Sequence, residues 1–83
     1  MTPQEQAHLL LATYDRPEAS PDECHIVRIT RTWLQVLTAE IYAEGVVEEI
    51  VADFLEPTPP EYGSGWIELR EAFMTWAQRE EYL

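Results

Sequence analysis

The pattern Ser/Thr-Pro-x-Glu occurs three times in this chain, and each copy has the form of a helix start. The first hydroxyl can accept a hydrogen bond from the backbone N–H three residues on, and the glutamate can accept one from the backbone N–H of the first residue. Proline suits the first helical position because the N–H that it lacks would have no partner there. The copies are TPQE at 2–5, SPDE at 20–23 and TPPE at 58–61. A mainly helical fold is therefore expected.

Apolar residues at helical spacing follow the first two copies and predict helices at 3–14 and 21–44. The stripe of the second helix is Ile26, Ile29, Trp33, Leu37 and Ile41, with Trp33 as its central core residue. Gly45 is the expected left-handed stop, either at a tight corner or at a kink in one long helix. The β-branched residues at 24–30 leave a short strand there as the alternative.

The second half of the chain predicts two further helices, at 46–55 and 66–82, separated by a Pro/Gly loop at 56–65. The third capping box can begin only one turn because YGSG follows it, and Ser64 offers another cap. The residues expected to face inward from the last helix are Trp66, Leu69, Phe73, Trp76 and Ala77. The predicted fold is one domain, 1–83, a bundle of three to four helices.

The amino-acid composition limits the classes of partner that the chain is expected to bind. The hydrophobic fraction of 46% and the three Trp, four Tyr and two Phe indicate a packed core, while the net charge is −11. Direct binding to nucleic acid or to an anionic membrane is not expected, since both need a basic surface. The longest aliphatic run, LLLA at 9–12, is too short to cross a bilayer.

Cysteine content and the first residues predict a cytoplasmic protein. Cys24 is the one cysteine, so no internal disulfide can form, which is typical of a reducing compartment. The start, MTPQEQ, has neither the basic nor the apolar region of a secretion signal. The chain has no Lys and no Asn, whose codons are AT-rich, so a GC-rich bacterium or its phage is the expected source.

Several short motifs match known functional patterns, but none of them predicts a binding or catalytic site. PPEY at 59–62 has the form of a WW-domain ligand, but a cap followed by a turn explains it better. Glu5 with His8 and Asp22 with His25 have metal-ligand spacing, yet both pairs lie near helix starts and four ligands at zinc spacing are absent. No nucleophile motif or phosphate loop is present. We expect no catalytic residue, metal or cofactor, and no enzyme activity.

The charge pattern is the most informative feature. Between Arg31 and Arg70 there are eight acids and no base. Six of the acids make up what we call the acidic segment: Glu40, Glu44, Glu48, Glu49, Asp53 and Glu56. On a continuous helix several of them would stand four residues apart, as a row that mimics about every second phosphate of a DNA strand. The alternative interpretation is a solvated helix face.

These observations favour a small non-enzymatic binding module. The acidic segment would dock on a basic, nucleic-acid-handling protein, as phage or bacterial inhibitors of CRISPR or restriction complexes and acidic antitoxins do. An assembly subunit or chaperone, or a homodimer, is the second hypothesis, with Trp66, Phe73 and Trp76 as its apolar interface. A metal-binding helical bundle is the third.

Overall fold

Four helices make up the computed structural model, which describes residues 1–56 and 63–83. They are α1 (Pro3–Tyr14), α2 (Pro21–Leu37), α3 (Val46–Leu55) and α4 (Gly63–Arg79). The mainly helical prediction is confirmed. The alternative strand at 24–30 is wrong, because these residues lie inside α2 and the described ranges contain no strand. Ile26, Val27 and Ile29 are buried there, and burial outweighs the weak β-preference of branched side chains.

Two of the three capping boxes begin helices as predicted. Thr2 Oγ1 accepts from the Glu5 backbone N–H at 3.1 Å, and Ser20 Oγ accepts from the Glu23 backbone N–H at 3.2 Å. Both glutamate side chains accept the return hydrogen bond. The third copy, at 58–61, and the PPEY motif lie outside the described residues.

The second helix is shorter than predicted. It ends at Leu37 rather than at Glu44, so residues 38–45 form a connection and Ile41 is not part of a helical stripe. Gly45, expected to stop α2, instead precedes α3 as its N-cap, with φ of 78°. Both predicted alternatives, a tight corner that joins two helices at Gly45 and a kink in one long helix, are therefore wrong, since residues 38–45 separate α2 from α3.

A Schellman motif ends α2. The Glu40 N–H donates to the Gln35 carbonyl at 2.9 Å, and the Ala39 N–H donates to the Val36 carbonyl at 3.1 Å. The motif requires a left-handed residue, which here is Ala39 with φ of 60°. Glycine is usual at this position because a Cβ costs roughly 1–2 kcal/mol in that conformation. The sequence therefore contains no conventional stop signal at this point.

The last helix ends in the same way. The Tyr82 N–H donates to the Ala77 carbonyl at 2.9 Å, the Glu81 N–H donates to the Gln78 carbonyl at 3.1 Å, and Glu81 has φ of 63°. The helix therefore ends at Arg79 rather than at residue 82.

The start of α4 also differs from the prediction. The helix spans Gly63–Arg79, so it includes residues 63–65 of the predicted loop. Ser64 consequently lies in the first turn instead of capping a helix that begins at Trp66.

The core is centred on α4, which packs against each of the other helices, while α1 also packs on α2. All five residues predicted to face inward from the last helix are buried, and the side chain of Trp33 is 0% exposed. Aromatic rings form a connected cluster across α2, α3 and α4, with centroid separations of 4.9–6.0 Å. Its members are Trp33, Phe54, Trp66, Phe73 and Trp76.

Close packing of α1 on α4 depends on a glycine. Gly65 is buried, and the phenol ring of Tyr14 lies against its Cα. A Cβ built on Gly65 would overlap the Cζ and Oη atoms of Tyr14. The absence of a side chain at Gly65 therefore allows the C-terminal end of α1 to approach the first turn of α4.

Candidate acidic docking surface

The acidic segment lies largely in solvent. Five of its six carboxylate side chains are exposed, and Asp53 is half-buried. Within residues 1–56 and 63–83 the segment takes part in no ion pair, whereas Asp15 is paired with Arg31 and Glu23 with Arg16. The chain therefore places its salt bridges around the α1–α2 connection and leaves the negative charge of residues 40–56 uncompensated.

A continuous helical row of carboxylates is not what the structure has. Glu40 and Glu44 lie in the connection between α2 and α3, because α2 ends at Leu37. Only Glu49 and Asp53 remain four residues apart on one helix, where two like charges cost about 0.2–0.5 kcal/mol. The prediction that the carboxylates are spaced like alternate phosphates of a DNA strand is therefore wrong.

Two exposed apolar side chains belong to the same part of the chain. Tyr42 is 91% exposed, and it lies between Glu40 and Glu44 in sequence. Leu55, the last residue of α3, is 73% exposed and precedes Glu56. The helical spacing of the sequence predicted Leu55 on the inward apolar face of α3, which is wrong, and did not single out Tyr42. The signal for Tyr42 is an aromatic residue flanked by acids outside any helix, which becomes visible only once the end of α2 is known.

The predicted apolar interface is not at the surface. Trp66, Phe73 and Trp76 are buried core residues, each in contact with other rings of the aromatic cluster. The helical spacing of these three residues marks the face of α4 that packs inside the domain. A partner or a second copy could not contact Trp66 or Phe73 without opening the core, whereas Trp76, 8% exposed, lines a surface pocket.

The residue pairs with metal-ligand spacing have other roles in the structure. Glu5 completes the capping box of α1, and His25 stacks on Trp66 with ring centroids 5.2 Å apart. In the described ranges no three His, Cys, Asp or Glu side chains come together in an arrangement that could hold a metal ion.

His25 lies where α2, α3 and α4 meet. Besides stacking on Trp66, its Nδ1 lies 2.9 Å from a guanidinium nitrogen of Arg28. Burial lowers the pKa of His25 below its ordinary value of 6.5, and the charge of Arg28 lowers it further. Asp53 and Asp22 act in the opposite direction but do not reverse the shift. The folded protein therefore favours the neutral imidazole.

The lowered pKa of His25 predicts a pH dependence of stability. As the pH falls below about 6.5, the unfolded chain binds a proton that folded His25 still excludes, so the free energy of unfolding should fall. This loss should stop once the pH is below the folded-state pKa, because both states are then protonated. Urea unfolding midpoints measured over this pH range should show the decrease.

The matched variants for this test are His25→Gln and His8→Gln. Replacing His25 should remove most of the decrease between pH of about 7 and the onset of carboxylate titration. Replacing His8, which is exposed on α1, should leave the decrease in place. An unchanged pH dependence in His25→Gln would show that other groups cause it.

None of the three comparisons, with protein-family models, with curated proteins and with solved structures, found a match to this chain. In the part of the chain that the structure describes, no helix combines the length and apolar character needed to cross a bilayer.

Proposed function

We propose that this chain is a non-enzymatic binding module that docks its acidic segment on a basic protein. The observation that supports the proposal most is the separation of charge. Among the described residues, Asp15 and Glu23 near the α1–α2 connection are paired with arginine, while no acid of the acidic segment forms an ion pair. Uncompensated charge of one sign speeds encounter with an oppositely charged surface and disfavours wrong partners.

Tyr42 adds an apolar component to the acidic segment. A face that serves only solubility has no need of a tyrosine 91% exposed between two carboxylates. Protein interfaces typically combine a few large apolar anchors with a polar rim, and the anchors contribute most of the binding free energy. In the proposed complex Tyr42 fills a pocket on the partner and the carboxylates surround it.

The proposed partner handles nucleic acid, because such proteins have the basic grooves that an acidic surface fits. The chain would then act as an inhibitor encoded by a phage or bacterium and working in the cytoplasm, similar in kind to anti-CRISPR, anti-restriction or antitoxin proteins. That class analogy rests on size and charge. The chain would compete with nucleic acid for the partner through its overall charge and shape. Regularly spaced carboxylates would not contribute, since Glu40 and Glu44 lie outside a helix.

The test begins with affinity capture from the source cells, identification of the captured protein by mass spectrometry and its purification. Association is then measured for the native chain and for the triple variant Glu44→Gln, Glu48→Gln, Glu49→Gln. We expect the association rate at low salt to fall by about tenfold or more, because steering depends on these charges. The difference should shrink as salt screens the charges. Duplex DNA should compete with the native chain for the partner.

A control variant removes the same number of charges elsewhere, at the exposed residues Glu18, Glu68 and Glu71, each changed to Gln; Glu68 and Glu71 lie where α4 faces α1. It should bind almost as fast as the native chain. Equal slowing by both variants would mean that net charge, rather than the acidic segment, controls association. Binding that is indifferent to both variants and to salt would exclude the proposal, and simultaneous binding of DNA would exclude the nucleic-acid groove as the docking site.

A further inference from the structure

A cavity of about 330 Å³ lies between the end of α1, the connection that follows it and one side of α2. Three of the five basic residues of this acidic chain line it: Arg16, Arg28 and Arg31. Asp15 is the one carboxylate among the lining residues. In a chain with 16 acids, this cavity therefore gathers most of the basic residues.

The arginines of the cavity retain unused hydrogen-bonding capacity. Arg31 contacts Asp15 through Nη2 at 2.5 Å, and Arg16 contacts Glu23 through Nη2 at 2.7 Å. Each guanidinium has five N–H donors, so most donors of both residues remain available to a ligand. The side chains are 60% and 50% exposed respectively, so water or a ligand can reach them.

Arg28 supplies charge that no carboxylate neutralises. Within the described ranges it forms no ion pair, and its Nη2 contacts Nδ1 of His25 at 2.9 Å. Arg31 is on the next turn of α2, so the two guanidinium groups repel each other. An anion bound between them would relieve this repulsion and accept hydrogen bonds from both.

We propose that this cavity binds the phosphate group of a small organic phosphate ester. Guanidinium groups match phosphate oxygens in a bidentate manner. A monoanionic carboxylate would have to compete with Asp15 and Glu23, which already occupy two of the arginines, whereas a dianionic phosphate interacts more strongly with the remaining donors. Tyr14 and Val27 give the cavity an apolar wall for the organic part of the ester. The volume lies at the small end of the range for ligand sites.

Cys24 allows a direct test, because it lines the cavity, is exposed and is the one cysteine of the chain. The rate of its alkylation by neutral iodoacetamide reports whether the cavity is occupied. We expect phenyl phosphate to slow alkylation in a saturable manner. Sodium chloride at equal ionic strength and benzoate should give little protection, and inorganic phosphate should need a several-fold higher concentration because it lacks an apolar part.

The matched variants are Arg28→Gln and Arg70→Gln, which remove the same charge inside and outside the cavity. The concentration of phenyl phosphate for half-protection should rise about tenfold or more in Arg28→Gln and stay unchanged in Arg70→Gln. Arg28→Lys keeps the charge but lacks the planar set of guanidinium N–H donors. Its half-protection concentration should lie between those of Arg28→Gln and Arg70→Gln. Thermal unfolding checks that all variants are folded.

Several results would overturn the proposal. Equal protection by sodium chloride, or equal shifts in Arg28→Gln and Arg70→Gln, would show general screening instead of a site. Equal protection by benzoate would exclude phosphate as the recognised group. Equal protection by inorganic phosphate would exclude an ester.

Discussion

Replacing Trp33 with Ala should lower the free energy of unfolding by about 3–5 kcal/mol. The Trp33 side chain is 0% exposed and its ring lies 5.6 Å from Phe73 and 6.0 Å from Trp76, centroid to centroid. Removal of the indole leaves a cavity where α2 meets α4, and a small domain cannot collapse to fill it. Because native domains are typically stable by about 5–15 kcal/mol, this variant should be close to unfolding. Urea denaturation followed by far-UV circular dichroism measures the loss.

Two further variants make the Trp33 experiment specific. Tyr42→Ala removes an aromatic ring that is 91% exposed, so it should change stability by no more than about 0.5 kcal/mol. Trp33→Phe should cost less than Trp33→Ala for two reasons. It keeps a ring in the cluster, and it removes the buried indole N–H, which has no hydrogen-bond partner in the described structure. An unfolding midpoint that Trp33→Ala leaves unchanged would contradict the core position of this residue.

Gly65→Ala should destabilise the domain, although alanine is the better helix former. Alanine gains up to about 1 kcal/mol from helix propensity. Its Cβ would overlap the ring of Tyr14, and forced displacement of packed side chains costs about 1–3 kcal/mol. We therefore expect a net loss of up to about 2 kcal/mol, measured as a shift of the urea midpoint at constant slope.

A double-mutant cycle separates the two contributions at Gly65. In a Tyr14→Ala background the ring is absent, so Gly65→Ala should become neutral or stabilising. The reversal of sign is the expected result, because helix propensity then acts alone. Stabilisation by Gly65→Ala in both backgrounds would mean that Tyr14 moves aside at little cost and that the close approach of α1 to α4 is not needed.

Helix starts could be predicted from sequence because their signals are local. The hydroxyl, proline and glutamate of the box at 20–23 lie within four residues, and the structure has the predicted contacts. Helix ends could not be predicted to the same extent. Both α2 and α4 stop at left-handed residues that are not glycine, Ala39 and Glu81. Both residues are exposed, and the hydrogen bonds of the Schellman motifs that close these helix ends join backbone groups only, so no side-chain pattern in the sequence marks them.

The candidate site shows the same limit. The spacing of the apolar residues predicted that Glu48 and Glu49 are exposed, because apolar side chains occupy the inward side of α3. The predicted continuous row of carboxylates is wrong because the prediction assumed that α2 extends to Glu44, whereas it ends at Leu37. The exposure of Tyr42 and the convergence of arginines at one cavity depend on how separate segments meet, so neither could be obtained from residue spacing.

Burial of all three tryptophans also determines what the intrinsic fluorescence of this protein measures. Trp33, Trp66 and Trp76 are buried in the core, so their emission depends on the integrity of the bundle. Unfolding will transfer all three indoles to water at once and give a large optical change. A partner bound at Tyr42 will leave Trp33 and Trp66, 0% and 2% exposed, in the same environment, whereas Trp76 lines an open pocket together with Ala43, the neighbour of Tyr42. Intrinsic fluorescence thus reports folding through all three indoles and docking on the acidic segment through Trp76 alone.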